Sequence, residues 1–269
     1  MARKLGKMMY LWENHRCIFF ESLSIVMKYQ LHPSYQHCQA LIEHIEMHFQ
    51  QASQILHAER NEIRIVPFEG EDYVVKSFGI PHIINRFAYR YLRPSKAKRS
   101  YQYSLKLGAE ICPEPVAYIE QFQYGLLAPS YFISQHFKYD FTIRPLLSDV
   151  TFENRNEILQ QFADFTYHLH QRGILHRDYS PGNILIKQQH HKYLFKIIDV
   201  NRMQFKTLSL QDRLSNFARL MVDDATMKIM LDRYANLINK PQHEILAIAI
   251  AYRDQFAHRR TLKNKLRGR

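Results

Sequence analysis

The stretch HRDYSPGNILI, residues 176–186, constrains the fold of this chain more than any other segment. A helix should lead into it, because Ile158, Phe162, Phe165 and Leu169 recur at helical spacing. Thr151 is the expected cap of that helix, with Glu153 and Glu157 in its early turns, where carboxylates suit the positive helix end. Gly173 is a natural stop. After the loop, ILIK reads as a short strand, QQHHK as a turn and YLFKIIDV as a second strand running into Asp199. The order is therefore helix, loop, strand, turn, strand, aspartate.

That order has a chemistry. Phosphoryl transfer asks a protein for positioning and charge stabilisation more than for covalent bonds. Asp178 is the candidate to orient, and deprotonate, an attacking hydroxyl. Asn183, in the spacing D-x-x-x-x-N, and Asp199 are candidate magnesium ligands, since Mg2+ takes hard oxygen donors. Lys76 ends the strand run of EIRIVPFEGEDYVVKSF and is the candidate cation for the nucleotide phosphates. A lone D-x-x-x-x-N is weak evidence. The full order, with Lys76 about a hundred residues upstream, is the protein-kinase-like pattern across roughly residues 60–220.

The rest of the first half fits a small sheet with a few helices. Residues 36–58 look helical, and Ile63, Ile65, Tyr73 and Val75 alternate as in a hairpin turning at EGED. From Ile83 to Leu107 the chain reads as helical and basic, divided by Pro94, with Ser95 as an N-cap. CPEPVAYIEQFQYGLLAPSYFIS returns to strand character. The predicted fold class is α+β: a two-lobed protein-kinase-like fold with a small antiparallel-sheet lobe at 27–133, a hinge at 134–137 and a mainly helical lobe at 138–269 with a basic tail. Residues 1–26 are expected to form an extension outside that core, with a genuine first helix as the alternative. Residues Ser134 to Phe137 should be the hinge whose backbone, at Gln135 and Phe137, meets the adenine of ATP.

Taken together, RPSKAKRS, CPEPVAYIE, VVKSF, HRDYSPGNILI and IIDVNRM resemble the lipopolysaccharide kinase family. The resemblance implies a bacterial enzyme that phosphorylates Kdo or heptose sugars of the lipid A inner core. It implies ATP with Mg2+, an anionic glycolipid partner and a cytoplasmic location, peripheral at the inner face of the inner membrane. By the same resemblance Asp178 is the catalytic base, Asn183 and Asp199 hold the metal, and Lys76 holds phosphate.

Several residues depart from the wider kinase pattern. HAERNEIRIV has no glycine where a phosphate-covering G-x-G-x-x-G would stand, which shifts part of that work to Arg60 or Asn61. DFG is replaced by DVN at 199–201, no APE follows, and Ser180 stands where protein kinases carry lysine. KRSYQYSLKL supplies no carboxylate to orient Lys76, leaving Gln102, Ser100 or a glutamate elsewhere. Small-molecule phosphotransferases of the aminoglycoside or choline type, RIO-type kinases and a pseudokinase scaffold stay open as alternatives. His176 and Arg177 read as structural, the histidine bracing the loop.

Charge and composition narrow the partners. Formal net charge is +12, which favours anionic partners. The basic runs at 86–99 and in HRRTLKNKLRGR read either as solvated faces or as contacts to glycolipid and membrane surface. No nucleic-acid motif accompanies the charge, so nucleic acid is not expected. No run approaches the roughly 20 apolar residues of a membrane span. CIFFESLSIVM is interrupted by Glu21 and two serines and makes a poor signal peptide. Cys17, Cys38 and Cys112 are too scattered for a disulfide framework or zinc cage.

Overall fold

The structure, a computed structural model, describes residues 16–20, 25–58, 61–80, 89, 93–190 and 192–266. The chain divides into two compact units: Met1–Leu105 with Glu114–His136, and Lys106–Pro113 with Phe137–Arg269.

The first unit is built on one antiparallel sheet. In chain order its elements are β1 (Arg16–Phe20), β2 (Ile25–Leu31), α1 (Gln39–Glu43), α2 (Ile45–Gln51), β3 (Gln54–Ala58), β4 (Asn61–Phe68) and β5 (Glu71–Phe78). They continue with α3 (Lys96–Leu107), β6 (Pro115–Gln123) and β7 (Leu126–Gln135). The sheet order is β1-β2-β6-β7-β5-β4-β3. Two hairpins in it use the same turn chemistry. Glu69 and Gly70 between β4 and β5, and Tyr124 and Gly125 between β6 and β7, all have positive φ. Two consecutive left-handed residues give the turn whose twist matches paired strands, with glycine second.

Period-2 alternation then sends successive side chains to opposite faces. Tyr73, Val75, Ala117, Ile119, Tyr131 and Ile133 pack with Leu41, Ile42 and Ile45 of α1 and α2. The alternate residues Phe78, Tyr118 and Phe132 pack with Ala97 and Tyr101 of α3. Ser95 caps α3 as expected, accepting from the Lys98 N–H at 3.0 Å. Lys76 is paired with Ile63 and Phe132 and therefore lies on the α3 face.

The expected extension at 1–26 meets a specific finding here. Residues 16–20 pair with 25–29 as strands of this sheet, and β2 in turn pairs with β6. The remainder of 1–26 lies outside the described residues. The helix read over 36–58 gives way at Ala52, whose extended backbone ends α2. β3 follows as the edge strand.

The second unit is mainly helical. Its elements are β8 (Phe141–Thr142), α4 (Arg144–Ser148), α5 (Arg155–Gln171), β9 (Ile174–His176), β10 (Ile184–Gln189), β11 (Lys192–Ile197), β12 (Met203–Phe205), α6 (Leu210–Ala218), α7 (Asp224–Leu237) and α8 (Gln242–Lys265). α5 buries Ile158, Leu159, Phe162, Ala163, Thr166, Leu169 and His170, a stripe at helical spacing. Full burial of a side chain such as Phe162 contributes roughly 1.5–3 kcal/mol. Arg155 locks the helix start, donating to the Leu146 carbonyl at 2.7 Å and the Thr226 hydroxyl at 2.5 Å.

Thr151 is not the cap of α5. Its N–H and hydroxyl both bind Asp149 Oδ1, forming a turn, and the left-handed Asn154 precedes the helix. Gly173 does end the helix, at φ 68. Residues 106–113 join this unit instead of the sheet lobe, held in part by Arg172, which binds Glu110 at 2.7 Å and the Leu107 carbonyl at 3.0 Å. The observed architecture is the expected α+β one, an antiparallel-sheet unit and a mainly helical unit.

Candidate active site

Three short strands bring the candidate residues of the helical unit together. Asp178 follows β9, Asn183 precedes β10, and Asp199 follows β11. β9 is anchored by β12 through the pairs His176–Met203, Leu175–Gln204 and Ile174–Phe205. β10 and β11 pair from Ile184–Ile197 outward. The loop between is closed by its own bonds. Asn183 Nδ2 donates to the Asp178 carbonyl at 2.9 Å, and the Ile198 N–H donates to the Asn183 carbonyl at 3.0 Å. Asp178, Asn183 and the residue before Asp199 are thus tied in one network.

His176 braces that loop, as the sequence suggested. Its ring is buried; Nδ1 accepts the Asp178 N–H at 3.0 Å, so the Nε2 proton faces the Ile198 carbonyl at 2.9 Å. Burial holds the imidazole below its ordinary pKa, so it stays neutral. A polar chain continues behind it. Asn216 Nδ2 donates to the His176 carbonyl at 2.8 Å, Asn216 Oδ1 meets His170 Nε2 at 3.1 Å, and His170 Nδ1 meets the Tyr234 hydroxyl at 2.7 Å. Burial pushes the His170 pKa down to about 4. Tyr179 is stacked on Phe162 and shares a 2.8 Å bond with Thr166. These buried groups fix the loop while the Asp178 side chain stays 40% exposed.

Asp199 adopts the left-handed conformation, φ 58 and ψ 45. Outside glycine this is an unusual conformation that concentrates at functional sites, and aspartate tolerates it better than most residues. Asn201, the last residue of the DVN triplet, donates to Asp199 Oδ1 at 2.5 Å and so orients the carboxylate. Among the described residues no three His, Cys, Asp or Glu side chains gather as a metal cage. Asn183 and Asp199 are a two-residue set of hard oxygen donors. Were Mg2+ bound, these two residues would be the ones to hold it, and it would supply positive charge toward phosphate oxygens.

Cations surround the loop. Arg202 Nη1 lies 3.9 Å from Asp178 Oδ2. Arg177 is exposed beside Asp178, and Arg219 follows α6 with its guanidinium 5.0 Å over the Phe256 ring. The Arg144 guanidinium lies against Gly182, where an added Cβ would come within 2.8 Å of it. Arg202, Arg219, Asn201, Asn216 and His170 were not singled out from the sequence as site residues. DVNRM carried a local signal for two of them; Asn216 and His170 meet through tertiary packing alone.

In the sheet unit Lys76 is half-buried, its ammonium 5.4 Å over the Phe78 ring. Neither proposed orienting residue on α3 suits it. Ser100 donates its hydroxyl to the Lys96 carbonyl at 3.0 Å, and Gln102 is exposed. Among the described residues, Glu120 is a buried carboxylate on the same sheet face: it is paired with Ser130, two residues along β7 from the Phe132 that faces both Lys76 and Tyr118. At the expected hinge, the Gln135 and His136 N–H groups bind the Glu114 and Asp72 carbonyls, and Phe137 packs under Lys196 at 4.6 Å. Arg60, Arg86 and Arg90 lie outside the described residues.

Comparison with known proteins agrees with this geometry. Residues 146–240, which contain the whole loop network, match the family model described as "Lipopolysaccharide kinase (Kdo/WaaP) family". The resemblance drawn from the sequence is thereby borne out and supports a lipopolysaccharide kinase. A solved structure titled "WaaP in complex with acyl carrier protein" superposes with a TM-score of 0.58 at 15% identity, covering 91% of this chain and 98% of that one. At that identity the likeness shows the fold. Comparison with curated protein sequences returns no match.

Proposed function

From the lipopolysaccharide kinase family that residues 146–240 match, we propose that the chain transfers the γ-phosphate of ATP to a sugar hydroxyl of the lipopolysaccharide inner core, Kdo or heptose. Asp178 orients the acceptor hydroxyl and receives its proton. Its half-exposed carboxylate suits a group that must meet a substrate. Asn183 and Asp199 hold Mg2+, which when bound neutralises charge on the phosphates. Lys76 steadies those phosphates as a point charge. The backbone at Gln135 and Phe137 receives the adenine.

The observation that supports this reading is the pair of hydrogen bonds joining the Asp178 carbonyl, Asn183 and the Ile198 N–H, which ties the loop backbone between Asp178 and Asp199 together. Such preorganisation is what phosphoryl transfer requires. The enzyme would work peripherally at the inner membrane face, where the exposed Arg259, Arg260, Lys263 and Lys265 of α8 meet anionic lipid. Labelled-ATP transfer to a panel of lipid A core sugars, small aminoalcohols and generic protein tests the proposal. Transfer to the core sugars is expected; transfer to protein alone would defeat it.

A further inference from the structure

We propose that Arg177, Arg202 and Arg219 form an anion site on the acceptor side of Asp178, which holds a carboxylate or phosphate carried by the sugar next to the hydroxyl under attack. The proposal rests on the kinase reading and adds to it the chemical class of the acceptor.

The three arginines come from three elements that the loop network holds together. Arg177 precedes Asp178 in the loop. Arg202 ends the turn that leads from Asp199 into β12. Arg219 lies one helical turn beyond Asn216, and its N–H binds the Asn216 carbonyl at 3.1 Å. Asn216 itself grips the His176 carbonyl, so α6 presents Arg219 to the same loop. Residues three apart share a helix face.

Their charge is not balanced. Among the described residues, Arg177 and Arg219 close no ion pair, and Arg202 stands 3.9 Å from Asp178, beyond hydrogen-bond reach. Arg219 is held below its usual pKa by burial and by the proximity of Arg177 and Arg202, with Asp178 opposing. Arg202 is the guanidinium that approaches the Asp178 carboxylate, with Arg177 beside it in the loop and Arg219 near enough to feel all three charges. Like charges gathered around the partly buried Arg219 are unfavourable until an anion joins them, and guanidinium forks suit planar carboxylate and phosphate oxygens. Because Arg202 approaches Asp178 Oδ2, an anion held there lies close to the hydroxyl that Asp178 receives. That position belongs to the acceptor.

The test uses the purified full chain and needs no turnover. Inorganic phosphate and gluconate, a simple sugar acid, are titrated separately by calorimetry, and their relative affinities tell a phosphate-bearing acceptor from a carboxylate-bearing one. Arg177→Gln and Arg202→Gln, both at exposed positions, are expected to weaken binding at least tenfold. Asp178→Asn should tighten it by removing the competing carboxylate, and Lys240→Gln, at an exposed position after α7, should leave it unchanged. Unchanged affinity in both arginine variants, an equal loss in Lys240→Gln, or no binding of either anion overturns the site. If binding follows expectation while no sugar is phosphorylated, the site stands and the sugar-kinase reading falls. If neutral and anionic sugars are turned over with equal KM and Arg202→Gln changes neither, this site falls and the kinase reading stands.

Discussion

The buried imidazoles of His170 and His176 are neutral for one reason: burial penalises the charged form, and each ring already accepts a hydrogen bond that protonation would break. The sign of the pH effect follows. Their folded pKa values lie below the ordinary 6.5, so the unfolded chain takes up the protons first. Stability is complete above about pH 6.5 and is lost as pH falls toward the folded value, about 4 for His170. Between pH 7.5 and pH 5, His170 alone should cost about 2 kcal/mol. Urea unfolding at the two pH values should show wild type losing that much more than His170→Gln; equal losses would refute the assignment. At this scale the sequence was informative where chemistry is local. Asp178, Asn183 and Asp199 stood out through spacing, and His176 through its place in the loop. Asn216 and His170 sit 46 residues apart and meet only because α5 and α6 pack on the loop.

Elements with strong local periodicity were legible, and those fixed by distant partners were not. α5 announced itself through its buried stripe, and the β4–β5 hairpin through its alternation and its Glu69-Gly70 turn. Gly173 was legible as the end of α5, and the structure adds a second reason for glycine. A Cβ there would lie 2.6 Å from the Lys206 carbonyl in a left-handed residue at φ 68. Gly173→Ala should therefore destabilise the protein by about 1–3 kcal/mol in denaturant titration, and a neutral effect would contradict the fit. Thr151 misled because a cap motif cannot reveal that Asp149 would capture its hydroxyl first. β3 was hidden because Ile55 and Leu56 are both exposed at the sheet edge, which leaves no alternation to read. β8, β9 and β12, two or three residues each, exist only through their pairing partners. Residues 106–113 joined the helical unit through Arg172, some sixty positions away.

For the whole molecule, the +12 charge is distributed in ways the sequence could not weigh. Lys96 and Lys98 lie over the Phe78 and Tyr118 rings, so part of the basic middle segment packs on the sheet. The exposed cations of α8 are the better candidates for a lipid surface, and among the described residues no helix is long and apolar enough to cross a membrane. Each basic residue near an anionic surface contributes about 1 kcal/mol, so the proposed lipid contact of Arg259, Arg260, Lys263 and Lys265 would give roughly 4 kcal/mol and millimolar affinity. Sedimentation with anionic vesicles should show binding that fades with salt and falls sharply when all four are changed to Gln; binding that survives both would move the contact elsewhere. In the proposed reaction the loop around Asp178 performs phosphoryl transfer to a core sugar. Its most direct measurement is magnesium-dependent transfer from labelled ATP to lipid A core acceptors by wild type and Asp178→Asn. Transfer by wild type and a loss of roughly 10²–10⁴-fold in the variant are expected. Full activity in Asp178→Asn would contradict it.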